Sequence, residues 1–255
     1  MPTLDAFESP RLLIKGARND VKQLDVKFRA WVKKRKPIFL NKPDPKTRER
    51  VGKLGFPYKV PGDFRLHAAS ALDRLRHALD QIVNCASVQL GGRDSNYFPF
   101  AKDATDFDRV FRDQCKAVPS GLHPLLKGLK PYPGGDDLLA ILRISGKNKH
   151  RKILELDPNI AAASIDFFEG VMITPPVRIG FRWDSNKQEL EFARIGKGGK
   201  IEGKLKGKMS LRVLLRDAPT PNSEPAAAVL YALASKVEGI LLAVEAETAR
   251  LLRSL

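Results

Sequence analysis

Apolar residues recur at helical spacing in three long stretches, and shorter turn-bounded runs lie between them. Over residues 5–35, Leu12, Ile14, Val21, Leu24, Phe28, Trp31 and Val32 recur near a 3.6-residue period, which predicts an amphipathic helix. Pro37 and the stretch NKPDPKT end it. RERVGKLGFPYKV, within 48–60, predicts a strand, and Pro61-Gly62-Asp63 a turn and a helix start. The best-patterned segment is 63–88. Ala68, Leu72, Leu75, Leu79, Ile82 and Ala86 are spaced four and three in alternation, a continuous helical seam. Within it ALDRL (71–75) is echoed one heptad later by ALDQI (78–82), so both copies share a face.

Beyond Gly91-Gly92 and Pro99, short helices are predicted at 105–117 and 119–128. Pro131, Pro133, Gly134 and Gly135 make a turn. Asp136 and Asp137 then open a helix through LLAILRI, where acids suit the positive end of the helix dipole. Ser145-Gly146 interrupts it, and KNKHRKILEL resumes it. From 171 the texture changes. VMITPPVRIGFRW, QELEFARI, GKIEGKLKG and KMSLRVLLRD are short, partly alternating runs, the first three separated by Asp184-Ser185-Asn186 and Gly198-Gly199. They predict a β meander. After Pro219, Pro221 and Pro225, residues 224–254 predict a long helix with the stripe Leu230, Leu233, Val237, Leu241, Val244 and Leu251 and one polar member, Thr248. The expected class is α+β in a single domain over 1–255: a helical core to about 165, open to a HEPN-like bundle, an antiparallel sheet at about 171–216, and the C-terminal helix packing back.

Composition narrows the partners more than the fold. Lysine and arginine total 45 against 29 aspartates and glutamates, a formal charge of +16. The excess is patterned. Residues 1–60 carry 16 basic and 6 acidic side chains, densest at Lys33, Lys34, Arg35 and Lys36. The stretch Arg194–Arg216 carries eight basic residues, Lys197, Lys200 and Lys204 among them, against Glu202 alone. Such runs point to a polyanion, each phosphate contact adding salt-sensitive affinity. The same runs also serve as solvated faces, and Lys33–Lys36 as a favourable helix C-terminus. No apolar run is expected to reach the roughly 20 residues of a membrane helix, and no basic-then-apolar leader opens the chain. Cys85 and Cys115 make neither a disulfide framework nor a four-cysteine zinc site. A cytoplasmic setting without membrane attachment is expected, and a homo-oligomer is compatible with it.

Two constellations carry chemistry. On the 63–88 helix, Asp73, Arg76 and Asp80 share a stripe beside the apolar seam, with His77 four residues from Asp73. The stripe reads either as charge pairing at the rim of a core, or as a site where Arg76 holds a phosphate and a carboxylate orients it. The second is Gly146-Lys147-Asn148-Lys149-His150-Arg151-Lys152, which aims donors at an anion, with His150 available for proton transfer. Its alternative is a solvated basic turn. Absence of HExxH, CxxC, GxSxG and GxxxxGK[ST] speaks against the commonest metal, serine-hydrolase and nucleotide chemistries. No metal and no cofactor are expected. GKGGK (196–200) lacks a following helix and reads as a basic hairpin tip.

These segments are familiar in order. RLRHALDQIV (74–83) resembles the LRxALDxxV helix of a widespread prokaryotic family. YFPF (97–100) resembles its FPx element, LKPYPGGDDLLAIL (129–142) its xPY segment, and NKHRKIL (148–154) its KHR element. His77, Gln81 and Asn148 depart from the family's small residue, histidine and aspartate. The resemblance implies an architecture and candidate residues, and no activity. A looser resemblance, from Arg143 followed after six residues by His150, is to HEPN domains, which include metal-independent ribonucleases. The patterned charge and the His150 element together point to a nucleic-acid-binding, ribonuclease-like protein with RNA, rather than DNA, as the partner, Arg76 and Arg143 holding phosphate, Asp80 orienting, His150 as acid or base, and Lys149 and Arg151 steadying developing charge. The alternative is a non-enzymatic interaction protein in which Arg76, Asp80, Asn148 and His150 form a polar network fixing helix packing.

Overall fold

A computed structural model describes residues 5–143, 156–167, 172–184, 187–202, 205–215 and 224–254. The class is α+β, with a four-stranded antiparallel sheet and a long C-terminal helix. The helices are α1 (Glu8–Lys33), α2 (Gly62–Gln89), α3 (Ala104–Gln114), α4 (His123–Gly128), α5 (Asp137–Ala140) and α6 (Ala226–Leu252), with a 3₁₀ turn at Ser120–Leu122 leading into α4. The strands are β1 (Ile38–Pro43), β2 (Arg50–Gly55), β3 (Leu156–Phe167), β4 (Met172–Thr174), β5 (Val177–Asp184), β6 (Glu189–Ile195), β7 (Lys200–Glu202) and β8 (Leu205–Leu215). Backbone contacts divide the chain into two compact units. A helical unit comprises Met1–Val26, Gly62–Glu155 and Leu215–Leu255, and a β unit Lys27–Pro61 and Leu156–Leu214.

The helical unit is organised by α2. Its seam Ala68, Leu72, Leu75, Leu79, Ile82 and Ala86 is fully buried and packs along α6. Gly91, in the left-handed region at φ 79°, lets the chain turn off the end of α2, with the Gly92 N–H donating to Ser87 C=O. From α1, Phe7, Ile14, Ala17, Val21 and Leu24 are buried. Leu12 is not: it is 58% exposed, so the stripe of α1 is narrower than its sequence pattern. Ion pairs Arg11–Glu245 and Arg18–Glu238 tie α1 to α6, and Asp20 accepts from Ser70 and Arg74 of α2. Asp136 caps α5 by accepting from the Leu139 N–H, and it also pairs with Lys236 of α6.

α6 buries Val229, Leu230, Leu233, Val237, Leu241 and Val244, with Thr248 donating to the Val244 carbonyl one turn back. It is 27 residues long and apolar enough to cross a membrane by length and composition. That corrects the expectation that no apolar run reaches such a length. A helix with a second apolar helix along its stripe meets the same test, because both environments reward burial of the same side chains.

In the β unit the strand order is β1-β2-β6-β5, every pairing antiparallel. The expected meander is therefore not self-contained. The β5–β6 hairpin is completed by a β1–β2 hairpin from a part of the chain read mostly as helical. β4 pairs with β7 and β3 with β8 in separate two-stranded sheets. β3 begins at Leu156, so strand replaces the helix expected to continue to 165. β6 carries a bulge at Phe192: its neighbours Glu191 and Ala193 face the adjacent residues Lys53 and Gly52 of β2. Residues three apart in a regular strand point to opposite faces. The bulge instead puts Glu191 and Arg194 on one face, where they form a two-pronged ion pair. On the other face Leu54, Leu190, Phe192 and Ala193 form the unit's core, with Val177, Trp183 and Ile201 packed against it. A Cβ added at Gly52 would sit 2.9 Å from the Phe192 ring, so glycine is what lets that ring seat.

Candidate functional site

The stripe on α2 is longer than its three charged members. Asp73, Arg76, Asp80, Asn84 and Ser87 follow at spacings of three, four, four and three, and each of the last four bonds to backbone elsewhere. Arg76 donates to the Leu142 carbonyl (3.3 Å), and its guanidinium lies over the Phe100 ring, 5.1 Å from the centroid. The Phe98 N–H donates to Asp80 Oδ1 (2.8 Å). Asn84 and the Asn96 backbone exchange two hydrogen bonds of 2.9 Å. Ser87 donates to the carbonyls of Arg93 and Ala117, and buried Asn96 donates to Arg93 while accepting from the Ala117 N–H. The stripe is thus a rail that holds the 93–100 loop and the end of α5 against α2. Asn84, Ser87 and Asn96 were missed in the sequence. Asn84 and Ser87 could have been found by continuing the three-four spacing.

Three of the four familiar segments therefore meet at Arg76 and Asp80: the α2 helix, Phe98–Phe100 and the end of α5. Arg143 is half-buried and follows the carbonyl that Arg76 binds. His150, Lys149 and Arg151 lie outside the described residues, as does Lys204. Asp73 Oδ1 is buried with no hydrogen-bond partner among the described residues. Burial, and secondarily the charge of Asp80, push the Cys115 thiol up to about 12, which keeps it protonated. Among the described residues no group of three or more His, Cys, Asp or Glu is placed to hold a metal ion.

Because the Phe98 N–H has no other acceptor among the described residues, Asp80→Ala is expected to cost about 1–3 kcal/mol of stability, the range for a buried donor left unpaired. Asp80→Asn keeps an acceptor at the same atom and is expected to recover most of that loss. Urea unfolding of the two variants measures the difference. Equal losses in both would mean the carboxylate charge, not the acceptor, is what the loop requires.

The basic residues of the β unit occupy two settings. On the sheet's polar face a cleft of about 680 Å³ is lined by Lys42, Asp44, Lys46, Lys53, Arg182, Trp183, Asp184, Lys187, Glu189, Glu191 and Arg194, among others. Most of its charges are paired. Lys53 donates to Glu189 (2.8 Å), holding that carboxyl below its usual range, and Lys42 lies 3.5 Å from it. Arg194 binds Glu191 and Asp44, which raises the guanidinium further above its ordinary value. Asp44 is itself held low, chiefly by the Lys46 and Thr47 N–H groups. Arg178 pairs with Glu49.

At the end of α1 the cations are differently placed. Lys33, Lys34 and Lys36 are exposed. Arg35 is not available in the same way: it donates to the Trp31 carbonyl (3.0 Å) and lies over the rings of Trp31 (4.7 Å) and Tyr58 (5.4 Å). Lys197 and Lys200 are exposed around the turn between β6 and β7, where the Gly199 N–H donates to Gly196 C=O. Compared with known proteins, the chain matches no family model, no curated protein and no solved structure.

Proposed function

We propose that this protein binds nucleic acid through its β unit, and that the α2 rail is a structural fastening. The observation that carries the first part is where the charge falls. The β unit holds 22 basic and 9 acidic side chains, net +13, while the larger helical unit holds 23 and 20, net +3. The run at Lys33–Lys36 and nearly all of the run from Arg194 onward belong to this unit, although more than 150 residues separate them in the chain. A net charge of that size on one small unit raises the local concentration of a polyanion and its rate of encounter.

The second part rests on occupied bonds. Arg76 and Asp80 direct their polar atoms at the backbone of Leu142 and Phe98. That favours the reading in which the motif residues fix helix packing over one in which they turn over a phosphodiester.

Both tryptophans, Trp31 and Trp183, lie in the β unit, so selectively excited tryptophan fluorescence reports on that unit alone. The test is a fluorescence titration with single-stranded RNA at low salt, comparing two triple variants of equal charge. Lys46, Arg50 and Lys197→Gln in the β unit are expected to weaken binding about tenfold or more. Lys15, Lys102 and Lys116→Gln in the helical unit are expected to change it little. Equal weakening by both sets, or no binding by the parent protein, would sink the proposal.

A further inference from the structure

The surface at the end of α1 has an organisation that the charge count does not convey. Between Lys27 and Pro61 the only acids are Asp44 and Glu49, and both are committed to arginines, Arg194 and Arg178. Lys33, Lys34, Lys36 and Lys59 are exposed and meet no carboxylate among the described residues. They are brought together by an aromatic stack. Trp31 packs against Phe56 (5.4 Å) and Phe56 against Tyr58 (4.9 Å), both edge to face. Arg35 lies over Trp31 and Tyr58, and the Tyr58 hydroxyl donates to the Lys36 carbonyl (3.4 Å). The chain that carries Lys59 is thereby fastened to the end of α1.

From this we infer that Lys33, Lys34, Lys36 and Lys59 form the primary docking surface for a nucleic-acid backbone, and that Arg35 is the positioning residue that assembles it rather than a phosphate ligand. The inference rests on the nucleic-acid reading above and deepens it. Phosphate diesters suit the patch because it offers exposed ammonium groups that meet no carboxylate among the described residues. Arg35 cannot be exchanged for lysine at such a place, because only the planar guanidinium both stacks on the two rings and donates to the Trp31 carbonyl.

The test is fluorescence anisotropy with a labelled single-stranded RNA across a salt series. Lys33, Lys34, Lys36 and Lys59→Gln together are expected to reduce the slope of log affinity against log salt by about 3, roughly 0.7 for each phosphate contact. These side chains are exposed, so this variant keeps the fold. Arg35→Lys preserves the charge and is expected to weaken binding about tenfold, with a fall in slope larger than one contact accounts for. Tyr58→Phe keeps the ring under Arg35 and is expected to bind nearly as the parent does, whereas Tyr58→Ala is expected to behave like Arg35→Lys. Parent-like binding by Arg35→Lys would overturn the positioning role. A parent-like slope in the fourfold variant would overturn the surface. A parent protein that ignores RNA but binds phosphatidylserine vesicles would overturn the nucleic-acid reading itself, and the inference with it.

Discussion

Raising sodium chloride from 50 to 200 mM is expected to weaken RNA binding by roughly 300- to 6,000-fold, the largest single effect predicted for this protein. The figure follows from counting cations that are exposed and meet no carboxylate among the described residues of the β unit. They are Lys33, Lys34, Lys36, Lys46, Arg48, Arg50, Lys59, Arg182 and Lys197. If six to nine of them neutralise phosphates, each releases about 0.7 of a counterion from a single strand, and the fourfold rise in salt multiplies through that exponent. The cations of the sheet that are already paired with carboxylates are left out of the count. Lys53, Arg178 and Arg194 already face Glu189, Glu49 and Glu191, and swapping a carboxylate partner for a phosphate gains little. Equilibrium binding at four salt concentrations gives the slope directly. A flat salt response would show that the +13 of the β unit is a solvated coat and not a binding surface.

The second large effect concerns stability. Leu79→Ala is expected to lower the unfolding free energy by about 2–5 kcal/mol, because it deletes a fully buried side chain from the seam where α2 packs along α6. Leu12→Ala is expected to lie within about 0.5 kcal/mol of the parent, because that leucine is already 58% exposed. Thermal and urea unfolding of the pair would measure the contrast. A comparable loss from both would mean that the apolar stripe of α1 is buried as its spacing predicts. The pair is informative because both leucines sit on helical apolar stripes in the sequence, and only one of them meets a partner.

The same distinction runs through the candidate sites. Asp73, Arg76 and Asp80 stood out in the sequence because spacing by three and four puts them on one helix face. What Arg76 and Asp80 bind, the carbonyl of Leu142 and the N–H of Phe98, is set by loops that carry no comparable signal. Asn96 gave no signal at all. Its role comes from being buried where two backbone groups, the Arg93 carbonyl and the Ala117 N–H, need partners, which is a property of the packed loop and not of the residue's neighbours in sequence. Arg35 was grouped with three lysines by composition. The ring of Tyr58, 23 residues on, separates it from them in kind, since a stacked guanidinium and an exposed ammonium do different work.

Local pattern alone is enough for the long helices, their boundaries to within a few residues, the buried seam of α2, and the α+β class. Helical periodicity is a local property, repeated every three or four residues, so it can be read without knowing what packs against it. Tertiary structure decided the rest. Whether β1 and β2 close a sheet with β6 depends on pairing across more than 130 residues, as between Lys53 and Glu189, and no local pattern specifies that partner. The bulge at Phe192 decides which charges share a face. The division into units decides that two basic runs far apart in the chain load the same small β unit. Charge is additive along a sequence, but the field that a polyanion meets depends on which charges the fold brings together and which carboxylates it sets against them.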